Sequence, residues 1–226
     1  MKKTTVVLDF DGTLAGIVAD PRKAYVGREE KRRLAELASK ARVVILTGRP
    51  SDFVKKKLAG IRGLAIIGLH GNRPSAKTRQ MRRAERLVGK KIAGIRGVLL
   101  ETKPGGFAVH YRTAHPGKAV GRAIGEARKA GKEGKLRIIR GRKTIEFLEE
   151  SALVKADALE KIVRKRGRAK VVFVGDDQSD YDAIKRCRAY RNFIGVMVEN
   201  SETGFSPKTA RPVARGKLFS LITELL

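Results

Sequence analysis

The chain has 226 residues, enough for one full α/β core with a smaller accessory unit and short for two large domains. Lys and Arg number 51 against 23 Asp and Glu, a net charge of +28, so even with every acid paired the surface is strongly positive. No apolar run is long enough to cross a bilayer, no secretory leader is recognisable at the start, and the single cysteine, Cys187, excludes an internal disulfide. A soluble cytoplasmic protein without membrane contact is expected, with a monomer favoured.

In chain order, a buried strand over Val6-Val7-Leu8 breaks into Asp9-Phe10-Asp11-Gly12-Thr13-Leu14. After Pro21, Leu34, Leu37 and Ala38 share one face of a helix predicted over residues 28–40. A second buried strand, 42–46, ends at Thr47-Gly48-Arg49-Pro50, and Ser51 or Asp52 is placed to cap a short helix. A third strand, 64–68, leads into Leu69-His70-Gly71-Asn72. Strand, helix, strand, helix, strand predicts a doubly wound parallel-sheet, Rossmann-like α/β core.

From residue 74 to 150 the pattern changes to an antiparallel α+β insertion. A basic helix-like stretch at 79–95 is followed by strand-like runs at 98–103 and 107–112, linked by Pro104-Gly105-Gly106. A helix at 117–130 and runs at 135–140 and 143–148, linked by Gly141-Arg142, complete it. Core-type sequence resumes with a helix at 155–165, a buried strand at 170–174, the acidic run Gly175-Asp176-Asp177-Gln178-Ser179-Asp180, a further helix, a strand at 193–198 and a closing helix from Gly216. The expected division is a core of residues 1–73 and 151–226 and a cap of residues 74–150.

Three core strands thus end in polar loops, and in a parallel sheet those ends share one edge. Strand alternation sends Asp9 and Asp11 to the same side, where two carboxylates repel unless a cation holds them; Mg²⁺, which prefers oxygen ligands, is the simplest choice beside an anionic substrate. Asp9 is placed to attack phosphorus, Asp11 to protonate a departing alcohol and later activate water, Thr47 to donate to a phosphoryl oxygen, and Lys155 to supply fixed positive charge. The positive field suits a phosphorylated small molecule. It also attracts polyanions without sequence preference, whereas 5% aromatics, no Trp and cations scattered along the chain argue against a specific nucleic-acid partner.

These motifs closely resemble those of the haloacid dehalogenase superfamily of phosphatases: Asp9-Phe10-Asp11-Gly12-Thr13 its first, Thr47 its second, Lys155 its third and Gly175 through Asp180 its fourth. The resemblance implies Asp9 as nucleophile, Asp11 as acid/base, and Mg²⁺ held by the Asp9 carboxylate, the Asp11 backbone carbonyl and Asp176, with Asp180 in support. The insertion between the second and third motifs is similar to the larger α/β cap. Within the superfamily the chain resembles trehalose-6-phosphate phosphatases through Gly68-Leu69-His70-Gly71, through Lys103 to His110-Tyr111-Arg112, and through Gly141-Arg142-Lys143-Thr144-Ile145-Glu146. That resemblance implies a phosphatase that hydrolyses trehalose 6-phosphate to trehalose and phosphate through an aspartyl-phosphate. Gly48, Arg49, His70, Gly71, Lys103, His110, Arg112 and Glu146 are the expected substrate-binding residues. Alternation along 107–112 places His110 and Arg112 on one face with Ala108. The chain departs from the family pattern at Asn72-Arg73-Pro74, where an acid usually follows His-Gly, and at residues 149–154, where a basic Pro/Gly turn usually precedes the lysine. Another sugar phosphate (a phosphorylated sugar acid, sucrose phosphate or a phosphohexose) is the alternative substrate, and a basic nucleic-acid-binding protein on the same framework is the alternative of a different class.

Overall fold

The structure, a computed structural model, describes residues 3–115, 117–141, 143–199 and 210–226. Its elements run β1 (Thr5–Leu8), α1 (Arg28–Lys40), β2 (Arg42–Leu46), α2 (Ser51–Lys57), β3 (Leu64–Ile67), α3 (Arg79–Ile92), β4 (Leu99–Lys103), β5 (Gly106–His110) and α4 (Lys118–Glu133). They continue as β6 (Arg137–Gly141), β7 (Thr144–Leu148), α5 (Lys155–Arg166), β8 (Val171–Gly175), α6 (Gln178–Cys187), β9 (Phe193–Glu199), β10 (Arg211–Ala214) and α7 (Leu218–Leu225). Two compact units result, one of Met1–Asn72 with Leu153–Leu226 and one of Arg73–Ala152. No helix among the described residues is long and apolar enough to cross a membrane.

The first unit is a six-stranded sheet in the order β10-β9-β8-β1-β2-β3, parallel throughout. β1, β2 and β8 are near-continuous runs of Val, Ile, Leu and Phe because both of their faces are covered. Val6, Leu8, Val43, Ile45, Val172 and Val174 pack with Leu34 and Leu37 of α1, Val54 of α2 and Leu218 and Ile222 of α7. Val7, Val44, Val171 and Phe173 take the other face with Leu159 and Val163 of α5 and Ala183, Ile184 and Cys187 of α6. This is the doubly wound arrangement that the alternation of elements predicts. Strand β10 goes beyond the sequence reading: Arg211, Pro212 and Ala214 are exposed and only Val213 is buried, so the segment has no apolar run, and its proline sits on an edge strand, where it is tolerated.

The second unit is a four-stranded antiparallel sheet in the order β4-β5-β7-β6. Phe107 and Val109 of β5 and Ile145 and Phe147 of β7 point to one face and pack with Met81, Ala84, Val88 and Ile92 of α3 and Ala123 and Ala127 of α4. Phe107 and Phe147, directly paired across the strands, stack with ring centroids 4.5 Å apart. The alternate residues therefore take the opposite face: Glu101 and Lys103 of β4, Ala108 and His110 of β5, and Thr144 and Glu146 of β7. β5 ends at His110, two residues short of the expected run, so strand alternation does not set the direction of Arg112. Arg142, in the predicted hairpin link, lies outside the described residues.

Candidate active site

In the first unit, the loops after β1, β2, β3 and β8 and the start of α5 carry the expected residues. Asp9, Asp176 and Asp180 are buried and offer carboxylate oxygens within 4.8 Å of one another. Lys155, the first residue of α5, reaches into them: its Nζ donates to Asp9 Oδ1 at 2.8 Å and to Asp180 Oδ1 at 2.7 Å. The other Asp180 oxygen accepts the backbone N–H groups of Asp176 (3.0 Å) and Asp177 (3.2 Å), which ties the β8 loop to α6. Asp177 caps α6, its Oδ1 accepting from the Asp180 N–H at 3.0 Å and the Ser179 hydroxyl at 2.8 Å. A side chain on Gly175 would overlap the Asp180 carboxylate, so the glycine is what lets that acid lie beneath the strand end.

The Asp11 carboxylate stands apart from this cluster. β1 ends at Leu8, the chain turns at Gly12 with φ +83°, and strand alternation no longer applies at Asp11. Its two oxygens are instead gripped by Arg49, from Nε at 2.8 Å and Nη2 at 2.9 Å. Arg49 is itself buried against the Phe53 ring, 4.8 Å from its centroid. The two expected functions of Asp11 therefore separate in space: its carboxylate pairs with the loop after β2, while its backbone belongs to the turn after β1.

Thr47 is 1% exposed, and its Oγ1 accepts the Arg49 N–H at 3.1 Å, so the hydroxyl proton is left for another acceptor. Gly48 lies half-buried in the same turn. The loop after β3 is sewn to it: Leu69 N–H donates to the Arg49 carbonyl and His70 N–H to the Thr47 carbonyl, both at 2.9 Å. Leu69 (φ 50°) and His70 (φ 55°) hold left-handed conformations ahead of Gly71 (φ 91°), a strained backbone that packing must sustain. Asn72, where the sequence departs from the family pattern, fastens this loop to the entry of α5. Its amide donates to the Leu153 carbonyl at 2.9 Å and accepts the Leu153 N–H at 2.8 Å, two residues before Lys155.

In the second unit, Lys103 and Glu146 form a buried ion pair at 2.9 Å. His110 Nε2 meets Glu101 Oε2 at 2.7 Å and its Nδ1 meets Thr144 Oγ1 at 3.0 Å. Glu101 is absent from the sequence reading, although alternation within the predicted strand places it on the Lys103 face, two residues away.

Burial, opposed by Lys155 and reinforced by Asp176, Asp177 and Asp11, raises the Asp9 carboxyl to about 7. Burial also works against the Lys155 ammonium, but Asp180 and Asp9 outweigh it and hold the lysine charged. An all-oxygen donor set with more carboxylates than the one lysine can balance fits a hard divalent cation. Gly12 supplies a test. A Cβ there would overlap the Asp176 carboxylate, and the positive φ disfavours any side chain. If the cluster holds a divalent cation, Gly12→Ala is expected to weaken its affinity by at least about tenfold through displacement of Asp176, as calorimetric titration of the folded variant with Mg²⁺ will measure.

A doubly wound core with an inserted α+β unit, and an acid cluster bridged by a lysine at the strand ends, define the phosphatase class of the haloacid dehalogenase superfamily. The sequence model of the trehalose-phosphatase family matches residues 7–214, and the chain belongs to that family. It is 32% identical over 218 residues to the trehalose-phosphate phosphatase of Mycobacterium avium, covering 88% of this chain and 55% of that protein. It is 29% identical over 222 residues to an uncharacterized glycosyl hydrolase of Mycobacterium tuberculosis, covering 90% of this chain and 16% of that protein. The chain thus spans between about a sixth and just over half of these curated relatives. Among solved structures, the C-terminal domain of Candida albicans trehalose-6-phosphate phosphatase shares the fold, with a TM-score of 0.75, 19% identity and coverage of 99% and 92% of the two chains.

Proposed function

We propose that this protein is a Mg²⁺-dependent phosphatase that hydrolyses trehalose 6-phosphate to trehalose and phosphate through an aspartyl-phosphate. The observation that carries the reading is Lys155 bridging Asp9 and Asp180 inside the three-acid cluster of a trehalose-phosphatase family chain. An Asp9 carboxylate oxygen attacks phosphorus, the bond from phosphorus to the sugar oxygen breaks, and that oxygen takes a proton from Asp11, whose carboxyl must be released from Arg49 and protonated to act as the acid. Water then attacks phosphorus, gives its proton to Asp11, and Asp9 departs as a carboxylate. Thr47 donates to a phosphoryl oxygen, and Lys155 offsets the charge of the transferring group. Asp9, Asp176 and the Asp11 carbonyl would hold Mg²⁺, with Asp180 in support; the ion supplies neutralisation of phosphoryl charge when bound.

In the second unit Lys103, His110, Glu146 and Glu101 offer donors and acceptors suited to sugar hydroxyls; Arg112 there, and Gly48, Arg49, His70 and Gly71 in the first unit, are likewise proposed as substrate-binding residues. The test is phosphate release from trehalose 6-phosphate, sucrose 6-phosphate, phosphohexoses and phosphorylated sugar acids, each with and without Mg²⁺. The reading expects metal-dependent turnover with the highest kcat/KM on trehalose 6-phosphate; equal efficiency on all, or preference for another, would overturn the substrate while leaving the reaction. Glu146→Gln removes the nearer of the two carboxylates at Lys103, Glu101 remaining at 3.9 Å, and takes away a charged acceptor; a charge-assisted hydrogen bond contributes roughly 1.5–3 kcal/mol. KM is expected to rise about 10- to 100-fold with kcat changed much less, as steady-state kinetics will show.

A further inference from the structure

Helical geometry lines up the cations of the basic stretch that forms α3 into a row. Arg79, Arg82, Arg83, Arg86 and Lys90 recur at i, i+3, i+4, i+7 and i+11, which on a helix confines them to about 100° of arc over about 17 Å of axis. All five are exposed, and the buried residues Met81, Ala84, Val88 and Ile92 occupy the opposite side. Among the described residues none of the five is in an ion pair. The one acid of the helix, Glu85, lies off this arc and is occupied by Lys77 at 2.6 Å and Thr102 at 2.7 Å. Like charges three and four apart destabilise a helix, and cations in its first turn oppose the helix dipole, where no acid stands to relieve them. Helix stability therefore does not account for the pattern. The surrounding unit, residues 73–152, carries 21 Lys and Arg against seven Asp and Glu.

We propose that this face of α3 is a docking surface for the phosphate backbone of single-stranded nucleic acid, read without regard to sequence. Cβ atoms three and four residues apart on a helix stand about 5–6 Å from one another, and the long side chains they carry can follow the phosphates of an extended strand. No aromatic residue lies on α3, so bases have no stacking platform and the contact is to phosphate alone. A membrane surface is disfavoured because Met81, Ala84, Val88 and Ile92 are buried in the helix's own unit and leave Leu87 as the one exposed large apolar side chain of α3. This inference is independent of the phosphatase reading.

The test is fluorescence anisotropy of the full chain with a labelled 20-nucleotide oligo(dT) across a series of salt concentrations. Five phosphate contacts give a slope of log K against log salt of about −3.5, and Arg83→Gln/Arg86→Gln is expected to make it shallower by about 1.4. Arg83→Lys/Arg86→Lys is expected to retain it. The control Arg164→Gln/Lys165→Gln removes equal charge from α5 and is expected to leave it unchanged. Equal loss in the control would reduce the effect to net charge and overturn the assignment. So would binding that fails at low salt, or a surface that captures anionic phospholipid vesicles but no oligonucleotide. Thermal unfolding of each variant confirms that the fold is retained.

Discussion

Asp9→Asn is expected to abolish phosphate release, by about 10⁴-fold or more, while the protein stays folded. The amide has the same shape but no anionic oxygen to attack phosphorus, and Lys155 keeps Asp180 as a partner at 2.7 Å. A second readout separates loss of chemistry from loss of fold. Burial raises the Asp9 carboxyl from 3.8 to about 7, so between those values the native chain binds a proton that the unfolded chain releases. The associated stability is fully present below pH 3.8 and is lost as pH rises through 7. Without metal, the wild type is therefore expected to lose stability across this window, and Asp9→Asn to lose less. At pH 8 the variant should be the more stable of the two by a few kcal/mol, since each tenfold change in proton affinity is worth on the order of 1.4 kcal/mol. Phosphate-release assays with Mg²⁺ and thermal unfolding in chelator at pH 5 and pH 8 check both halves. Metal-dependent turnover by the pure variant would remove Asp9 from the nucleophile's role.

The parts of this arrangement visible in the sequence are those set by local periodicity. Val6-Val7-Leu8, Val43 to Leu46 and Val171 to Val174 are apolar on both sides of the chain because helices cover both faces of the sheet, and that continuous apolar character, with short length, β-branched residues and turns at the ends, marks them as strands. Pairing across the sheet then brings Asp9 near Asp176, since β1 and β8 are direct neighbours. Side-chain partnerships made between loops leave no such trace. Arg49 reaches Asp11 across 38 residues through the geometry of two turns, one bent by Gly12 and the other buttressed by the left-handed Leu69 and His70. Asn72 is similar: its tie to Leu153 spans 81 residues, and nothing periodic announces it. Glu101 is different, because its face follows from alternation alone. β10 left no signal because one buried valine beside a proline is no pattern.

Lys155→Met is expected to be the second most damaging change, and its effects divide by metal. In the wild type the ammonium, 4% exposed, sits between Asp9 and Asp180, and its charge opposes the burial that raises the Asp9 carboxyl. Methionine fills similar volume but leaves Asp180 buried with backbone donors alone. Breaking one partner out of a buried ionic group costs about 3–5 kcal/mol, so the metal-free variant should unfold at markedly lower temperature near pH 8. Protonation of the acids relieves the same strain, so the deficit should shrink toward pH 5, and saturating Mg²⁺ should recover part of it at pH 8. Turnover responds differently. With the acids held by metal, the missing charge still leaves the transferring phosphoryl group less stabilised, and kcat is expected to fall by about 10²- to 10⁴-fold. Lys155→Arg restores charge but not fit, because a planar guanidinium cannot replace a compact ammonium donating to two acids at 2.8 Å and 2.7 Å. It should recover stability better than it recovers kcat. If Lys155→Met instead turns over at the wild-type rate with Mg²⁺ present, Lys155 does not supply the fixed charge and another basic residue must, Arg49 being the first to substitute. That guanidinium is already in the loop of Thr47 and already shaped around a carboxylate.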